Sequence, residues 1–101
     1  MDIRIIKNPS RGTLDILMRR KGSLKDQVPP VCEAVGLVQG RMIEMVVAAD
    51  IAEKAVGVTV EDIKGSCPQN MILLAIFGDT AAVEDALVQI KQEIEGGSRY
   101  L

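Results

Sequence analysis

The stretch Ile63–Asn70 reads IKGSCPQN and sets a thiol, Cys67, between a glycine–serine pair and a proline. A thiolate is both a nucleophile and a soft metal ligand, so its use depends on what else the chain can bring to it. The sequence contains no histidine. That removes every Ser-His-Asp or Cys-His arrangement and every His-containing zinc site. It also leaves a catalytic cysteine without its usual base, so an enzymatic role is disfavoured. The second cysteine, Cys32, follows Pro29-Pro30-Val31 and reads as a half-buried structural residue. Two thiolates cannot complete a four-cysteine metal site. Any metal chemistry must therefore come from several copies of the chain or from a second protein. Glu61 and Asp62 are adjacent in a strand pattern and point to opposite faces, so they are not a catalytic carboxylate pair. The five methionines fall at core-like spacings and read as packing.

The elements that must position Cys67 belong to a chain of 101 residues, the size of one domain. With 48% hydrophobic and 26% charged residues the composition is globular. Phe77 and Tyr100 are the only aromatic residues, so the core is aliphatic, and the scarcity argues against stacking on nucleic-acid bases. A net charge of −2 likewise argues against a phosphate-backbone binder, so no nucleic-acid partner is expected. No apolar run has signal-peptide character or the length to span a bilayer, which predicts a cytoplasmic protein without a membrane partner. In that compartment Cys32 and Cys67 are a poor disulfide pair. Charge is unevenly spread: residues 1–30 carry seven Lys/Arg against three Asp/Glu, and residues 31–101 five against eleven. One face or edge is expected to be basic and another acidic, which suits contact between subunits.

Residues 2–7 (DIRIIK) alternate as a strand, and Asn8–Gly12 carries turn signals. Residues 13–20 (TLDILMRR) fit either period; the flanking Pro and Gly favour a strand, giving an N-terminal hairpin. Residues 21–31 form a connector that Pro29-Pro30 keeps from continuing as a helix. A short buried strand follows at 33–39, then a helix over 41–56. Its core face is expected from Met42, Met45, Val46, Ala49 and Ala52, on an apolar arc wide enough for more than one neighbour. Gly57 suits the position after its end. Residues 58–64 and 70–78 are strands bracketing Gly65–Gln69, the second apolar enough to lie in mid-sheet. A helix over 80–95, capped by Asp79 or Thr80, buries Val83, Leu87, Ile90 and Ile94. Gly96-Gly97 ends it. The expectation is an α+β layer fold with helices on one face of a sheet. It divides into N-terminal strands and connector (1–32), a strand–helix–hairpin–helix core (33–95) and a tail (96–101).

The segment Glu33–Glu95 resembles the bacterial microcompartment shell domain, the BMC domain. The likeness rests on Ala34-Val35-Gly36-Leu37-Val38, on Ala48-Ala49-Asp50 with Lys54, on Gly65-Ser66, and on Gly78-Asp79 before the second helix. With strands placed first and none after the last helix, the order resembles the circularly permuted subgroup, whose N-terminal segment is similar to Arg4-Ile5-Ile6. The resemblance implies a non-enzymatic shell protein that forms flat cyclic homohexamers and tiles with other microcompartment shell proteins. Hairpin tips would line a central pore, here Gly65, Ser66, Cys67, Pro68 and Gln69, and Lys54 would sit at the hexamer edge. Gly65-Ser66-Cys67-Pro68-Gln69 further resembles the Gly-x-Cys-Pro-Gln motif of iron–sulfur-binding shell proteins from glycyl-radical propanediol microcompartments. That implies Cys67 as metal ligand and one iron–sulfur cluster, a 4Fe-4S cubane, per hexamer. Six copies supply more thiolates than the four such a cluster uses. A cubane lacks sixfold symmetry, so three or four subunits would contribute. Gly65 would permit the backbone angle that aims the thiol inward, and Pro68 would stiffen the residue after it. A reading of a different class is a small ligand-sensing regulatory module that binds a metabolite at subunit interfaces and uses Gly65–Gln69 as an ordinary turn.

Overall fold

Alternation decides which side each strand buries, and β1 (Asp2–Lys7) shows it: Ile3 and Ile5 turn to the core while Asp2 and Arg4 stay exposed. The computed structural model describes residues 1–21, 32–65 and 71–96. In chain order they form β1, α1 (Arg11–Arg20), β2 (Ala34–Arg41), α2 (Met42–Lys54), β3 (Val58–Ile63), β4 (Met71–Gly78) and α3 (Thr80–Glu95). The four strands make one antiparallel sheet in the order β1-β2-β4-β3. The molecule is an α+β layer structure, as expected.

One row of partners across the sheet, Ile5–Gly36–Ile76–Val60, explains how the main core is built. All four face the same side, where α2 and α3 pack with Met45, Ala48, Ile51, Ala52, Val83, Ala86, Leu87 and Ile90 buried. Gly36 lets α3 approach: a Cβ there would stand 3.0 Å from both Leu87 and Val83 side-chain atoms. The helix phase of α2 corrects the expected core face. Met45 and Ala52 are buried as expected, but Met42 and Val46 are 50% and 62% exposed, and Ala48 and Ile51 are inside instead. Small Ala48 and Ala52 let the helix lie close to the sheet and to α3. With nine of its thirteen residues apolar, α2 presents a wide arc whose own pattern does not fix which side turns inward.

Residues 13–20 form a helix, not the second strand of an N-terminal hairpin. Asn8 takes the left-handed turn at φ 53°, and Ser10 then caps α1, its Oγ accepting from Thr13 N at 3.2 Å. Arg19 and Arg20 sit in the last turn, where cations suit the negative end of the helix dipole. Leu14 and Leu17, three apart, pack on the other side of the sheet from α2 and α3, against Val35, Ile63, Ala75 and Phe77. Helices thus cover both faces, two on one and α1 on the other, and not one face as expected, because the segment expected as a second strand is the helix α1. Ser10→Ala removes the cap and is expected to lower stability by about 1 kcal/mol, read as an earlier urea midpoint with unchanged slope. No shift in midpoint would mean that the cap contributes nothing.

Candidate functional site

β3 and β4 pair from Val58↔Gly78 to Ile63↔Leu73, so the chain leaves β3 and enters β4 at the Ile63–Met71 end of the sheet. The root of this hairpin is tied down by α1. Lys21 forms a bridge to Ile63, and Lys64 N donates to the Arg20 carbonyl at the helix C-terminus. Asp62 and Lys64 pair at 3.0 Å beside it. Gly65 is exposed at the start of the tip, and a Cβ there would meet nothing within 4 Å. Within one copy, therefore, lack of space does not demand glycine at 65. Ser66, Cys67, Pro68 and Gln69 lie outside the described residues.

Cys32 is half-buried against the α1-side cluster, and burial pushes its thiol pKa up. A raised pKa makes it a poorer thiolate, in keeping with a structural role. The β2–β4 register pairs Ala34 with Gly78 and Arg41 with Met71. Cys32 thus sits at the end of the sheet opposite the hairpin root. Among the described residues no group of three or more His, Cys, Asp or Glu could hold a metal ion. Glu61 is buried and Asp62 is not, the split that alternation requires.

Lys54 is the last residue of α2, and its Nζ pairs with Asp50 Oδ2 at 2.8 Å on an exposed surface. Beside it runs a groove of about 450 Å³ between the end of α2 and α3, lined by Val56, Ala82, Asp85, Val88 and Gln89. The sheet end that carries the hairpin root has a feature the sequence reading placed wrongly. Met42, Ile43 and Val46 project from the first turns of α2, with Ile43 73% exposed. Arg41, just before them, pairs with Met71 at the start of β4, so this apolar strip adjoins the hairpin. The wide apolar arc was the signal for it. α3 starts at the opposite end, where Asp79 Oδ1 accepts from Ala82 N at 2.8 Å and Glu33 Oε1 from Thr80 N at 3.2 Å.

Residues 34–101 match the BMC domain family, which takes in β2 through α3 and leaves β1 and α1 ahead of it. The chain belongs to the BMC-domain family. Among solved structures, a ligand-free GrpU microcompartment shell protein from Clostridiales bacterium 1_7_47FAA is 57% identical. The alignment covers 96% of this chain and 94% of that one, with a TM-score of 0.75. A ligand-free GrpU microcompartment shell protein from Pectobacterium wasabiae is 34% identical over 89% of this chain and 99% of that one, with a TM-score of 0.73. A comparison with curated proteins finds no match. A BMC-domain protein is a structural shell component and not an enzyme, which agrees with the expectation drawn from the missing histidines and sets aside the ligand-sensing module. Among the described residues no helix of this BMC-domain protein is long and apolar enough to cross a membrane.

Proposed function

We propose that this chain is a shell component of a cytoplasmic bacterial microcompartment and closes into a cyclic homohexamer. Gly65, Ser66, Cys67, Pro68 and Gln69 of six copies would surround its central pore. The exposed strip of Met42, Ile43 and Val46 beside the hairpin root carries this reading. Covering such a strip with a neighbouring copy removes apolar surface from water, at about 1.5–3 kcal/mol for each side chain fully buried. Because the strip adjoins the hairpin, closing a ring through it brings the tips of successive copies towards one axis. Lys54, exposed at the end of α2, is placed at the rim, where hexamers tile with one another and with other shell proteins. β1 and α1, ahead of the matched family segment, fit the circularly permuted arrangement.

The pore ligand in this reading is Cys67, holding one 4Fe-4S cluster per hexamer. The donor chemistry supports it: thiolate is the ligand of such clusters, and one Cys67 per chain becomes six in a ring. Cys32, half-buried with a raised pKa at the far end of the sheet, is left out of the ligand set. A bound cluster supplies one-electron redox chemistry, serving electron relay through the shell or cluster transfer across it. The companion pathway in this reading is glycyl-radical propanediol utilization.

Anaerobic preparation of the wild type and of Cys67→Ser tests the proposal. The wild type is expected to run as a hexamer with about four iron and four sulfide per ring and broad absorbance near about 400 nm. Cys67→Ser should keep the hexamer and lose the iron, the sulfide and the colour. Equal iron in both would remove Cys67 from the site. A wild type that runs as monomer or dimer would overturn the ring itself.

A further inference from the structure

The two faces of the sheet carry opposite charge. α1, on one side, has three arginines against one aspartate, and Arg11, Arg19 and Arg20 are all exposed. On the other side, α2 and α3 together have seven carboxylates against two lysines, with Glu53, Glu84, Asp85 and Glu95 exposed. From these observations we infer that the basic α1 face of one copy docks on the acidic α2–α3 face of a second, so that copies stack head to tail.

Three features favour this occupant. Both complementary surfaces belong to the same chain, so every copy carries both halves of the contact. The contact is heterologous and uses faces that lie on opposite sides of the sheet, so it does not close on itself and grows as a stack. Ile16 stands 51% exposed among the α1 arginines and Val88 53% exposed on α3, so each charged surface also carries an exposed apolar side chain. Each copy carries both halves of the contact, so the stack forms without the ring proposed above. In a shell, it makes sheets of this protein two-faced, with one side basic and the other acidic.

Charge reversal on each face separately gives the test. Arg11→Glu/Arg19→Glu makes both faces acidic, and Glu53→Lys/Glu84→Lys/Asp85→Lys/Glu95→Lys makes both faces basic. Light scattering should show the wild type at a mass about twofold or more above its high-salt value in about 20 mM salt, collapsing in about 500 mM. Each variant alone should stay at the high-salt mass, and an equal mixture of the two should regain the stack. Far-UV circular dichroism verifies that the variants are folded, and Arg11→Gln/Arg19→Gln replaces the reversal if it is not. A wild-type mass indifferent to salt overturns the inference. So do variants that stack alone as the wild type does, or a mixture that fails to recover.

Discussion

Ile76→Ala should lower the stability of the protein by about 2–5 kcal/mol, a large part of the 5–15 kcal/mol that holds a domain of this kind folded. Ile76 is fully buried on central strand β4, between Gly36 and Val60 in the sheet, and beneath α2 and α3. Truncation loses the transfer free energy of three carbons and leaves a cavity that neither helix can fill without leaving the sheet. For a chain of this length each kcal/mol moves the melting temperature by about 4–8 °C, so a fall of at least about 10 °C is expected. The comparison needs one protein concentration, because assembly adds to apparent stability. A loss below about 1 kcal/mol would mean that the helices are not seated on Ile76 as described.

The second large effect comes from adding a single carbon. A Cβ on Gly78 would fall 2.6 Å from the Gly57 carbonyl oxygen and 3.3 Å from Val58 Cγ1. Gly57 is itself at φ 83°, in the turn that sends the chain from α2 into β3, so the oxygen belongs to backbone with little freedom to move. Gly78→Ala must push apart the Val58↔Gly78 end of the sheet, and about 1–3 kcal/mol of destabilisation is expected. Gly12→Ala is the control. Gly12 lies in α1 with nothing within 4 Å of its would-be Cβ, so the same change there should stabilise by about 0.4–1 kcal/mol. Chemical denaturation of both variants reads the two signs. Equal effects would show that the carbonyl is not what excludes a side chain at position 78.

Where local chemistry and burial agree, the elements were legible in the sequence. β4 needs continuous apolar residues because helices cover both its faces, and Met71–Phe77 supply them. α3 has a capping aspartate, a spaced apolar row and a terminal glycine, and it runs over the expected residues. α1 was misread because Ile16-Leu17-Met18 satisfies both periods while Pro9 and Gly12 look like the ends of a strand. The deciding residues are Ser10, which caps, and Leu14 with Leu17, which share a helix face but would also alternate poorly in a strand. α2 was recognised as a helix with the wrong side inward, since its phase is set by α3 and the sheet and not by its own pattern. For the candidate site, the sequence names the chemistry of the tip, and the structure adds the anchored root and the neighbouring apolar strip. What copies of the chain do together is not written in the pattern of one.

The strand order β1-β2-β4-β3 also has a kinetic side. Ile5 must find Gly36, and Gly36 must find Ile76, before either pairing is rewarded. Only β3 and β4 are close neighbours along the chain, with Ile63 meeting Leu73. Closing a short loop is cheap in entropy, so this hairpin is the pairing the chain can make first, and the distant strands then add to it. The strand pair that starts the fold also fixes where the chain leaves the sheet at Ile63 and re-enters it at Met71, so folding order and placement of the candidate site rest on the same stem.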